Sequence, residues 1–75
     1  MDRFTLTPRE ALAGRIDADE RNLDDIHPLS TRIPAYLPAD CAGRYVDALA
    51  MRDDELVRRA LDNLRRAVAA YRGAR

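Results

Sequence analysis

The chain is 75 residues long, 47% apolar and formally neutral, with 13 basic and 13 acidic residues. That length allows one domain at most, with a core that barely offsets chain entropy. The neutral balance argues against a dedicated nucleic-acid coat or a polybasic membrane anchor.

The first recognisable element is a helix start. Phe4 and Leu6 lie on one side of a short alternating run, and Thr7-Pro8-Arg9-Glu10 follows as a capping box. Thr7 is the N-cap, Pro8 takes the first helical position, and Glu10 reaches back from the third. Leu6 sits where a hydrophobic staple would place it. A first helix is predicted over 8–20, burying Ala11, Leu12 and Ile16, with Gly14 weakening it by about 1 kcal/mol relative to alanine.

From 22 to 38 the helical period breaks. Pro28, Pro34 and Pro38 each bias the residue before them toward extended backbone. The stretch is nevertheless rich in Leu23, Ile26, Leu29, Ile33, Tyr36 and Leu37, so an ordered extended strap over a helical surface is predicted, with a helical turn around Asp24–His27.

A second helix is expected over 39–51, with Ala42, Tyr45, Val46 and Leu49 inward and Arg44 and Asp47 outward. The third carries the clearest signal. Asp53 is an N-cap candidate, and Asp54 and Glu55 place negative charge at the positive end of the helix dipole. Leu56, Val57, Ala60, Leu61, Leu64, Ala67, Val68 and Tyr71 then recur at helical spacing. Gly73 offers a helix end. This helix is predicted over 53–72, buried at Val57, Leu61, Leu64 and Val68. The expected fold class is therefore all-α, a single three-helix domain spanning 1–75.

Charge divides the chain. Residues 1–40 carry eight acids against five arginines, a balance of −3, and 41–75 carry eight arginines against five acids, a balance of +3. The two halves are expected to attract each other. Every basic residue is arginine, which GC-rich codon usage explains. Arg58, Arg59, Arg65 and Arg66 form two pairs one heptad apart, a row able to track phosphates. Asp54–Arg58, Glu55–Arg59 and Asp62–Arg66 are also favourable i,i+4 pairs, the pattern of a solvated helix face.

Groups of catalytic type are few. Asp24, Asp25, His27 and Ser30 lie close in sequence, but one Pro-bounded loop supplies neither the scaffold nor the oxyanion hole that a triad needs. The same acids with His27 would make an oxygen-rich metal set without a second histidine or cysteine. Neither metal nor cofactor is expected. Cys41, the only cysteine, lies near a helix start, where the dipole would lower a thiol pKa, but it reads better as a small buried apolar residue. A lone cysteine, no apolar run near the ~18 residues of a membrane span and no signal-peptide core at the N-terminus point to a cytoplasmic location.

Phe4-Thr5-Leu6-Thr7-Pro8-Arg9-Glu10-Ala11-Leu12, continuing to Arg15-Ile16-Asp17, resembles the opening of ribbon-helix-helix repressors and antitoxins. The resemblance covers about fifteen residues and implies a dimer whose paired strands turn Arg3, Thr5 and Thr7 toward the DNA major groove. The Pro-rich strap stands where that family begins its second helix.

Two functions follow as expectations. The first is a non-enzymatic accessory, adaptor or regulatory protein that docks on a protein partner or on itself, through Ile33, Tyr36 and Leu37 of the strap and Leu64, Val68 and Tyr71 of the last helix. The alternative is a DNA-binding regulator or antitoxin using Arg58, Arg59, Arg65 and Arg66 or the N-terminal strand.

Overall fold

The computed structural model describes residues 5–26 and 33–73. They form three helices, α1 (Pro8–Asp25), α2 (Tyr36–Met51) and α3 (Asp54–Gly73), and no strand is present among the described residues. This is the small all-α fold expected from the periodicity.

The capping box of α1 is formed as predicted. Glu10 N donates to Thr7 Oγ1 at 3.1 Å, and Thr7 N donates to Glu10 Oε1 at 2.9 Å. The staple is not, because Leu6 is exposed and the small Ala11 gives it little to pack on. α1 also runs past its predicted end. Leu23 continues the buried row Leu12, Ile16, Asp19, and that packing carries the helix through Asn22–Asp25.

At its other end the strap gives way to α2, which starts at Tyr36 rather than Ala39. Pro38 is the third residue of this helix, where a backbone N–H has no intrahelical acceptor, so the proline costs no hydrogen bond. Among the described strap residues only Ile26, with extended backbone, and Ile33, Pro34 and Ala35 stand outside the helices; His27, Pro28, Leu29, Ser30, Thr31 and Arg32 lie outside the described residues.

The break between α2 and α3 is sharp. Arg52 takes the left-handed conformation (φ 58°, ψ 37°) and donates to Leu49 O at 3.1 Å. Asp53 then caps α3, its Oδ1 accepting from Leu56 N at 3.1 Å. Its other oxygen pairs with Arg9, tying this corner to the first turn of α1.

Two apolar clusters fill the interior. Leu12, Ile16, Ala48, Leu56 and Ala60 make one; Leu23, Leu37, Cys41 and Ala67 make the other. The phase of two helices differs from expectation. α3 buries Leu56, Ala60, Asn63 and Ala67, while Val57, Leu61, Leu64 and Val68 are half-buried one row round. α2 buries Leu37, Cys41 and Ala48, leaving Val46 and Leu49 exposed. In both helices small residues occupy much of the innermost line, letting the backbones approach, and the larger side chains stand beside it.

Candidate interaction surface

The charged side chains sort the helix faces. Arg59 of α3 pairs with two carboxylates of α1: Nε lies 3.2 Å from Glu20 Oε2, and Nη2 lies 2.7 Å from Glu20 Oε1 and also donates to Asp17 Oδ1. These partners hold the guanidinium pKa above its ordinary value. Arg66 reaches Asp24 at 2.8 Å. The acidic α1 and the basic α3 therefore attract as the charge division implied. The partners are not the i,i+4 acids, however: Arg59 and Arg66 turn to α1 instead of to Glu55 and Asp62. The arginine row thus splits. At about 100° per residue, Arg58, Arg65 and Arg72 fall along the side of α3 remote from α1, beside Leu61 and Val68.

Between α1 and α2 lies a buried polar contact. Asp19 Oδ2 stands 3.3 Å from Arg44 Nε, so Arg44 points inward, against expectation. Burial raises the Asp19 carboxyl pKa, Arg44 pulls it down and Asp40 adds to the rise. Asn63, also buried, donates from Nδ2 to Ile16 O at 3.3 Å. Cys41 is fully buried beside Leu23, Leu37 and Ala67, and burial pushes its thiol up to about 11. The helix-dipole reading of Cys41 is thereby reversed, since desolvation outweighs it at the sixth residue of α2. No group of three His, Cys, Asp or Glu suited to a metal occurs among the described residues.

The residues proposed for docking are dispersed. Leu37 is 3% exposed and belongs to the core; Ile33 and Leu64 pack half-buried against the same cluster. Val68 is half-buried, and only Tyr36 and Tyr71 are exposed. The larger apolar surface is one the strap argument overlooked. Asp40, Arg44 and Asp47, spaced i, i+4, i+7, hold the charge of α2 along one flank, with Arg44 turned to Asp19 and Asp47 exposed. The opposite side presents Ala39, Ala42, Gly43, Val46, Leu49 and Ala50, with Val46 61% and Leu49 48% exposed. That one-sided charge spacing was the available signal.

Among the described residues no helix is long and apolar enough to cross a membrane. Comparison with protein-family models, with curated proteins and with solved structures gives no match.

Proposed function

We propose that this chain is a non-enzymatic helical interaction protein, an accessory or regulatory subunit that acts by docking in the cytoplasm. The observation that carries the reading is the apolar strip on the solvent side of α2, where Val46 is 61% and Leu49 48% exposed. A helix with apolar residues on its core side and a further apolar strip on its solvent side, its charge gathered on the flank of Asp40, Arg44 and Asp47, has a second face suited to being covered. The small core adds support, because enclosing a pocket of a few hundred Å³ would consume apolar contacts that the fold needs.

The competing reading, DNA binding through arginine, is supported less well. Arg59 and Arg66 are engaged with α1, which leaves Arg58 and Arg65 of the four.

Salt separates the two. Phosphate-driven binding falls steeply between about 50 and about 200 mM salt, whereas apolar docking changes little. A partner captured from the native cell, purified and re-bound, is expected to lose affinity with Val46→Glu and to retain it with Arg58→Ala combined with Arg65→Ala. The reverse result would overturn the docking function.

A further inference from the structure

We propose that α1 is a charge-held cover that opens as a unit from the α2–α3 hairpin, and that the arginine-lined face beneath it docks an acidic amphipathic helix of a partner protein. This face lies on the side of α2 away from Val46, so the inference stands apart from the strip proposed above.

Ion pairs divide the fold in two. Arg9 with Asp53 and Glu55, Arg44 with Asp19, Arg59 with Asp17 and Glu20, and Arg66 with Asp24 each have one partner on α1. Among the described residues no ion pair joins α2 to α3. Those two helices meet instead at the left-handed turn of Arg52, and by packing Ala48 with Leu56 and Ala60, and Leu37 and Cys41 with Ala67. Residues 26–35 connect α1 to α2, so α1 can leave without disturbing that turn.

The hold on α1 is of a kind that is readily lost. Its apolar anchors are Leu12, Ile16 and Leu23, and the fourth member of that buried row is the carboxylate Asp19. Asp19 Oδ2 and Arg44 Nε lack an aligned partner among the described residues, so their contact recovers little of the cost of burying two charges. The Arg59 and Arg66 pairs are open to water, with Asp17 half-exposed and Asp24 exposed. Pairs of that exposure contribute little each and weaken as salt rises. Opening at α1 is therefore the least costly sub-global opening of this fold.

What α1 covers defines what can replace it. Beneath it run Ala48, Leu56, Ala60, Cys41 and Ala67, flanked by Arg44 from α2 and by Arg59 and Arg66 from α3. The occupant in the structure shows the chemistry that fits. α1 carries six acids and three arginines, with Asp17, Glu20 and Asp24 at helical spacing beside its apolar row. Charge complementarity thus selects an acidic helix with one apolar stripe. A phosphate backbone would satisfy the arginines and leave the apolar line uncovered. α1 itself, tethered at an effective concentration on the order of millimolar, is the competitor that such a partner displaces.

Native-state hydrogen exchange of the full chain tests the opening. The α1 amides are expected to exchange faster than the innermost amides of α2 and α3, and the gap should widen between about 0.01 M and about 1 M salt. A labelled peptide of residues 5–26, titrated into the full chain, tests the face. Its binding should tighten about tenfold when the chain carries Asp17→Asn, Glu20→Gln and Asp24→Asn, because the tethered competitor is weakened. A chain that had merely lost stability would not bind more tightly. Asp24→Asn alone, at an exposed position, is the milder variant and should move both readouts the same way by a smaller factor. In the chain with all three acids replaced, Arg59→Ala with Arg66→Ala should reverse the gain. Placed in the peptide instead, the three acid substitutions should weaken its binding about tenfold. Equal protection of the three helices at both salt concentrations overturns the inference. So does peptide binding that ignores the acids of the chain or of the peptide, and so does duplex DNA that displaces the peptide.

Discussion

Asp19 of α1 and Arg44 of α2 oppose each other with Oδ2 and Nε 3.3 Å apart, and Asp19 is 4% exposed. The two atoms are close without being aligned as donor and acceptor, and neither has another partner among the described residues. Such a pair fixes how α1 seats on α2 more than it stabilises the fold, because two charges leave water for one imperfect contact.

The sign of its pH dependence follows. The Asp19 carboxyl is raised by burial, so the folded chain holds that proton more tightly than the unfolded chain. This group's contribution to stability is largest below the ordinary carboxylate range and declines as pH rises through the folded pKa. Asparagine mimics the protonated form at every pH. Asp19→Asn is therefore expected to match or exceed the wild type near pH 7, with its advantage vanishing toward about pH 4. Arg44→Met should cost roughly 1–3 kcal/mol, since it leaves the buried carboxylate unpaired. Urea unfolding at both pH values measures each. An Asp19→Asn chain clearly weaker than wild type near pH 7 would show that pairing outweighs desolvation.

Adjacent arginines should behave differently. Arg59 bridges Asp17 and Glu20, whereas Arg58 is exposed. Arg59→Met is expected to cost about 1 kcal/mol, at the upper end for a partly exposed network. Arg58→Met should stay within about 0.5 kcal/mol. Raising the salt should shrink the Arg59 effect and leave Arg58 unchanged. Equal losses at the two positions would mean that α1 and α3 are not joined by this bridge.

What the sequence disclosed was local. The capping box Thr7–Glu10, the cap at Asp53 and the period of α3 are written in neighbouring residues, and all three stand in the structure. What it hid depends on neighbours in space. Leu23 extends α1 because it lands on the core already lined by Leu12 and Ile16. Pro38 reads as a break unless the helix is known to begin two residues earlier. The inner line of α3 was misjudged because hydrophobicity favours Val57, Leu61, Leu64 and Val68, whereas close approach of α2 and α3 favours Ala60 and Ala67. Asn63 and Asp19 carry no sequence mark of burial. On the candidate surface the residues were in plain view, but only the placement of Arg44 against Asp19 shows which side of α2 faces out.

The N-terminal cap should be measurable alone. Thr7→Ala removes the acceptor for Glu10 N and is expected to cost about 1 kcal/mol. The Glu10 carboxyl is held below its ordinary value, chiefly by the Thr7 backbone N–H. Its contribution is thus present above the unfolded carboxyl range and fades as pH falls through the folded pKa. Asp53, lowered mainly by the Leu56 N–H and then by Arg9, acts in the same direction. Glu10→Gln should flatten the acid limb of a thermal-unfolding pH series while retaining the neutral hydrogen bond. An unchanged acid limb would mean that Glu10 frays from the cap in solution.

Cys41 gives a probe of the interior. It lies on the side of α2 with Leu37 and Ala48, away from Val46, and its thiol is pushed up to about 11 by burial, with Asp19 adding to the rise. Both burial and a low thiolate fraction protect it, since only the thiolate attacks. In the native chain near pH 8 a disulfide reagent is expected to react only through opening of the fold, and in urea at the ordinary cysteine rate. Leu37→Ala, which leaves a cavity in the same cluster and costs about 2–5 kcal/mol, should accelerate native labelling towards the unfolded rate. Rapid labelling of the wild-type chain under native conditions would mean that Cys41 is accessible and that α2 does not pack as described.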